Sequence, residues 1–270
     1  ALVLNTKEEG MGLVSEMVYG ISEALSGTSY HLVVTPYSLS DPMEPIRYIV
    51  ETGSADGIIL SRTQPDDPRV RYLMDHAMPF ATHGRTDMDT VHPYHDFDNQ
   101  AFGFEAVKIL AEKGHKKIAL IGPPQGLTFQ RHTRAGFEMG LREFGLQEHW
   151  LSDIDIDSPT VDIVAKGLAL GRQDDRPGGI VCSASIPAIA VSAGLIKAGL
   201  QIGRDVDIVT KQSTQLMELL RPEIIFIHED FRVAGRDLAR AVMAWIDGAD
   251  PAGLQSVVGP KQRESILKFL

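Results

Sequence analysis

The feature that most constrains this chain is a repeated alternation of short apolar runs with longer stretches of helical periodicity. The runs fall at residues 1–4, 31–35, 57–60, 80–83, 117–121, 179–182, 207–210 and 224–227. Between them, stretches 12–25, 41–52, 68–76, 100–113, 131–144, 160–170, 186–198 and 231–246 carry helical patterns. Such alternation predicts a parallel sheet with helices on both faces. Continuous runs such as Lys117-Ile-Ala-Leu-Ile121 suit strands buried on both sides. Gly114, Gly145 and Gly199 follow their helices, where a left-handed residue closes the last turn. Asp98 or Asn99 is placed to cap the helix that begins near residue 100. Two similar sets of these units, one before Gly114 and one after, predict two doubly wound α/β lobes. Their ligand cleft is expected at the carboxyl ends of the strands.

The 270 residues, 43% of them hydrophobic, suffice for two compact lobes. No apolar run reaches the roughly 20 residues of a membrane span, so no membrane partner is expected. The opening Ala1-Leu-Val-Leu reads as a strand that begins abruptly and does not look like a signal peptide. Cys182 is the one cysteine, which rules out an internal disulfide and suits a cytoplasmic location. In Gly179-Ile-Val-Cys182 it reads as a buried structural thiol rather than a nucleophile. The net charge of −10 opposes direct binding to duplex DNA, whose affinity comes largely from Lys and Arg facing phosphates. A role on DNA would need a basic module elsewhere.

Catalytic motifs are sparse. Gly10-Met-Gly12 opens like a dinucleotide fingerprint, but Ser15 stands where the third glycine belongs. Gly122-Pro-Pro-Gln-Gly126-Leu-Thr128 lacks the phosphate-loop spacing and the lysine before its threonine. Both read as strand-to-helix turns. The polar cluster His92-Pro-Tyr-His95-Asp96-Phe-Asp98-Asn99 holds metal-ligand residue types, yet its spacing matches no zinc pattern. A loop entering a capped helix is the better reading. There is no Gly-x-Ser-x-Gly elbow and no His-Glu-x-x-His. The expectation is a binding protein, not an enzyme, with no catalytic residue, metal or cofactor. Trp245, in an amphipathic helix, reads as core, and Trp150 as surface packing. Leu13, Met17, Ile21 and Leu25 read as core or a dimer face.

Asp98-Asn99, a helix, then Gly114-His115-Lys-Lys-Ile118-Ala-Leu-Ile-Gly122 together resemble the central signature of the LacI/GalR repressors. Arg131-His-Thr-Arg-Ala-Gly136-Phe137, Gly199-Leu-Gln-Ile-Gly203-Arg-Asp205-Val-Asp207-Ile-Val209 and Arg263-Glu-Ser265 resemble further family segments, in the right order. The likeness runs over essentially all 270 residues. It implies the periplasmic-binding-protein type I fold, with one subdomain of residues 1–113 plus 231–257 and another of 114–230 plus 258–270. It also implies a homodimer, and a helix-turn-helix headpiece before Ala1 that would contact operator DNA. The implied function is sugar sensing for transcriptional repression. A periplasmic sugar receptor of the same fold is the alternative.

The resemblance also places a ligand site just after the strands. Thr6 and Lys7 follow the first, and Ser61 and Arg62 the third, with a surface pairing of Arg62 to Asp66 or Asp67 as the competing reading. The family's clamping arginine falls on Thr133, so Arg131, or else Arg134, is expected to take its role. Ala184-Ser185 stands in place of the usual Asn-Asp, leaving Ser183 or Ser185 to supply polarity. Gln212, in Thr210-Lys211-Gln212-Ser213, replaces a ligand-binding aspartate, and Glu229 stands at the last crossover. This mixed set of donors and acceptors matches sugar hydroxyls. The segments around Gly84-Arg85-Thr86 and His132-Thr-Arg-Ala-Gly-Phe resemble regulators of α-glucoside use, which makes a small carbohydrate of that class the expected effector.

Overall fold

The computed structural model describes residues 1–5, 13–37, 41–213 and 216–260. Along the chain lie β1 (Leu2–Asn5), α1 (Leu13–Leu25), β2 (Val34–Tyr37), α2 (Glu44–Thr52), β3 (Ile58–Leu60), α3 (Pro68–Asp75), β4 (Phe80–His83) and β5 (Tyr94–Phe97). Next come α4 (Asn99–Glu112), β6 (Lys117–Ile121), α5 (Thr128–Phe144), β7 (Gln147–His149), α6 (Thr160–Gly171), β8 (Gly179–Cys182) and α7 (Ser185–Lys197). The remainder is β9 (Asp207–Gln212), α8 (Leu216–Leu220), β10 (Ile225–His228), α9 (Phe231–Ile246) and β11 (Gln255–Val258).

Two compact units result. The first gathers Ala1–Phe97, Gly126–Phe129 and Asp230–Val258; the second gathers Asp98–Gln125, Gln130–Glu229 and Gly259–Leu270. The first holds a six-stranded sheet in the order β11-β5-β4-β3-β1-β2, and the second a five-stranded sheet in the order β10-β9-β8-β6-β7. Every pairing in both sheets is parallel. This is the doubly wound α/β architecture that the alternating pattern predicted. The first crossing falls after Phe97 rather than near Gly114, because α4 packs on β8 and β9 of the second sheet.

In the first unit, strand alternation sends side chains to two cores. Leu2, Leu4 and Ile59 pack with Met17 and Ile21 of α1 and Leu238 and Val242 of α9. Val3, Ile58 and Leu60 pack on the opposite face with Ile46, Ile49, Val70, Leu73 and Phe80. Met17 and Ile21 are therefore core, and Trp245 packs at 5.2 Å from the Phe80 ring. In the second unit Cys182 is fully buried, and that burial pushes its thiol pKa up. Trp150 lies on the surface, with the Arg134 guanidinium 4.6 Å over its ring.

Helix pairs approach to backbone contact at reciprocal glycines. A β-carbon on Gly136 would stand 1.9 Å from the Gln100 carbonyl oxygen, and one on Gly103 would stand 2.4 Å from that of Thr133. Gly167 and Gly194 meet the backbones of Val191 and Val164 in the same way, and Gly20 and Gly235 those of Arg232 and Met17. Only glycine fits at such crossings.

Several expectations need correction. The second strand lies at Val34–Tyr37 rather than 31–35, and it contains Pro36. It is the edge of its sheet, where a missing amide donor is tolerated. The polar cluster at 92–99 is not a loop: Tyr94–Phe97 forms β5, between β4 and β11. Asp98 is the cap of the following helix, accepting from the Ala101 amide at 2.9 Å. Strands β7 and β11 and helix α8 were not anticipated.

Candidate functional site

The second unit brings its functional candidates together along the carboxyl edge of its sheet. Register pairs His228 with Gln212 and Cys182 with Thr210, so the residues that follow β8, β9 and β10 lie side by side. Glu229 donates its amide to the Gln212 carbonyl at 2.9 Å, and Ser183 donates its own to Ile121 at 3.0 Å. All three are buried: Ser183 is 4% exposed, Gln212 6% and Glu229 6%. Among the described residues, the Ser183 hydroxyl and the Gln212 Oε1 have no hydrogen-bond partner. Buried polar atoms without partners are costly, and these two lie at the same edge of the sheet.

Ser185 contributes differently. It opens α7 and donates its hydroxyl to the Lys211 carbonyl at 2.7 Å, tying the helix to β9. Thr133 is fully buried on α5, with its backbone against Gly103, while Arg131, two residues earlier on another face of the helix, is exposed. Arg134 is engaged elsewhere: it pairs with both oxygens of Glu148 and with Glu138. Burial works against its charge, but those carboxylates raise its pKa overall.

Sequence reasoning missed Lys211, the only buried lysine among the described residues. Its ammonium lies 2.8 Å from Glu229 Oε2, donates to Asn99 Oδ1 at 2.8 Å, and sits 5.5 Å from the Phe102 ring centroid. The one available signal was a lysine within a strand of otherwise buried residues. Its partners are distant in sequence, which no local pattern records.

Thr6 and Lys7 lie outside the described residues, as do Gly10-Met-Gly12 and Arg263-Glu-Ser265. Ser61 is buried after β3, and Arg62 has a left-handed backbone, φ 55°. That turn is held by Arg69, which donates to the carbonyls of Ser61 and Arg62, each at 3.0 Å, and to the Tyr37 hydroxyl at 3.2 Å. Arg69 also grips Asp67 with two bonds of 3.0 and 2.7 Å. Burial alone would raise the Asp67 pKa, but the Arg69 hydrogen bonds and charge hold it below the usual carboxylate range. Asp66 pairs with Arg71, so each of the acids weighed as partners for Arg62 holds another arginine. Thr128 reaches the same turn, its amide donating to the Thr63 carbonyl at 2.9 Å. Its buried hydroxyl has no hydrogen-bond partner among the described residues.

The polar cluster around β5 is used internally. His92 Nε2 lies 3.1 Å from the Thr82 hydroxyl, and Asp96 pairs with Arg85 at 2.8 Å. His95 lies 3.2 Å from Asp237 and 3.1 Å from the Ser256 hydroxyl. Among the described residues no group of three or more His, Cys, Asp or Glu is placed to hold a metal ion. Nor, among them, is any helix long and apolar enough to cross a membrane.

Residues 107–266 match the model of the periplasmic binding protein-like domain. The chain belongs to that family. It is 26% identical over 240 residues to the HTH-type transcriptional regulator AglR of Rhizobium meliloti (strain 1021), covering 86% of this chain and 66% of the relative. The chain thus spans about two thirds of that regulator's length. A regulatory protein of the LacI family from Chloroflexus aggregans superposes with a TM-score of 0.81 at 22% identity, over 96% of this chain and 94% of the other. A complex of the transcriptional regulator CelR with cellobiose superposes with a TM-score of 0.79 at 22% identity, over 98% and 83%. The relative AglR is a transcriptional regulator, which favours that class over transport receptors of the same fold.

Proposed function

We propose that this chain is the effector-sensing part of a LacI-type transcriptional regulator. A small carbohydrate binds at the carboxyl ends of the second unit's strands and controls DNA binding by a headpiece outside this sequence. The observation that carries the reading is the pair of buried, unpartnered oxygens at that edge, Ser183 Oγ and Gln212 Oε1. Sugar hydroxyls satisfy either, since each can donate and accept. Binding moves the regulator between states only through its different affinity for them. The net charge of −10 supports a separate DNA-contacting module. The chain acts as a cytoplasmic homodimer without a catalytic role, and its ligand is an α-glucoside.

Titration calorimetry with maltose, trehalose, cellobiose, adenine and a set of amino acids tests the reading. A carbohydrate should bind, most tightly an α-linked one, and Gln212→Leu should weaken it by ~10-fold or more, the loss of a buried polar contact. Binding of adenine or an amino acid with no carbohydrate bound refutes the assignment. Sedimentation of the chain should give twice the monomer mass.

A further inference from the structure

The ion pair Lys211–Glu229 has no place in a scheme where every buried polar group simply meets a hydroxyl. Both side chains are under 10% exposed, and their charged atoms lie 2.8 Å apart. Asn99 Oδ1 adds a second acceptor for the ammonium, at 2.8 Å. The pair bridges β9 to the end of β10, next to Gln212, whose carbonyl receives the Glu229 amide. From this arrangement we infer that Lys211 and Glu229 set the charge selectivity of the site, restricting it to uncharged ligands. This rests on the sugar-sensing reading above and specifies the class of sugar.

The argument is one of charge balance. A lone buried ammonium at a strand edge is a receptor for carboxylate or phosphate. Here Glu229 neutralises it, and an anion brought to this edge meets a carboxylate already in place. Like charges juxtaposed in a desolvated site cost several kcal/mol, so the penalty falls on the anionic ligand. An ammonium on the ligand is likewise repelled by Lys211 while Glu229 is already occupied. What the edge leaves unsatisfied is neutral, the Gln212 amide oxygen and the Ser183 hydroxyl. Specificity of this kind comes from a repulsive element placed against the wrong partner.

The test is a set of titrations with maltose and cellobiose, their aldonic acids maltobionate and cellobionate, and glucosamine beside glucose. The native chain should bind a neutral sugar and bind its acid at least ~100-fold more weakly, the scale of a like-charge penalty. Glu229→Gln should narrow that gap by ~10-fold or more, because the carboxylate that faces an incoming anion beside Lys211 is then gone. Lys211→Met should do the reverse, widening the gap and improving glucosamine relative to glucose. The two variants are independent, so loss of folding in one leaves the other decisive. Equal affinity of the native chain for sugar and acid, or an unchanged ratio in whichever variant folds, overturns the inference while sugar sensing stands. Binding of adenine or an amino acid without any carbohydrate overturns both.

Discussion

Replacing Arg69 by methionine tests how the turn after β3 is built. Arg69 is 3% exposed and Asp67 fully buried, and the guanidinium supplies five bonds to Asp67, Tyr37, Ser61 and Arg62. Methionine keeps much of the volume but leaves the Asp67 carboxylate without its counter-charge, a loss of about 3–5 kcal/mol for a buried pair. The Ser61 carbonyl loses a donor as well, worth about 1–3 kcal/mol if water does not replace it. Taking the ion pair as dominant, the first unit should lose about 4 kcal/mol at neutral pH. The pH dependence follows from Asp67. Its folded pKa is depressed, so its contribution is full above its unfolded value and is lost as pH falls through the folded one. Without Arg69 the buried carboxyl protonates more readily, and the deficit of the variant should shrink below about pH 4, near the unfolded aspartate value. Urea unfolding followed by Trp245 fluorescence in a Trp150→Phe background reports on the first unit alone, since each unit holds one tryptophan. A loss under about 1 kcal/mol, the range of exposed pairs, or a deficit that does not depend on pH, refutes the reasoning.

Four further outcomes are expected. Gly136→Ala places a methyl carbon against the Gln100 carbonyl and should cost about 3 kcal/mol or more in thermal unfolding, whereas Gly253→Ala, with open space around it, should stay within about 0.5 kcal/mol. Gln212→Leu, which weakens sugar binding, should leave the stability of the ligand-free protein unchanged or higher, because it removes a buried unpaired oxygen. Cys182 should resist Ellman's reagent in the native state and react once urea unfolds the second unit, since burial disfavours its thiolate. Burial also lowers the pKa of His92, so the stability it contributes is full above about pH 6.5 and declines as pH falls; His92→Gln should remove that part of the acid slope.

The elements legible in the sequence are those whose burial is two-sided. Strands β4, β6 and β8 fall where their apolar runs place them, because a strand between two helical layers must be apolar throughout. Strand β5 escapes because its sequence, Tyr-His-Asp-Phe, satisfies its polar side chains through Arg85 on the preceding loop and through Asp237 and Ser256, which lie far along the chain. Strand β11 is an edge strand with only intermediate or exposed residues, so it carries no apolar signature. At the candidate site, Ser183, Gln212 and Glu229 were named from the family resemblance, which sets ligand residues at the carboxyl ends of strands. Lys211 and Asn99 were not, because their contact is made across 112 residues of sequence.

The division of the chain has a consequence for the order of events during synthesis. Residues 98–229 contain every strand of the second sheet, so that sheet is complete in sequence once its last strand has emerged. The first sheet starts earlier yet finishes later. The unit built on it needs α9, which closes the core over α1, and β11, which pairs with β5, and both are made after the second sheet is whole. Until then Leu2, Leu4 and Met17 lack their covering helix. An exposed apolar face of that kind is a hazard for a nascent chain. Of the two units, the one whose strands are translated first is therefore the one that depends longest on protection from aggregation.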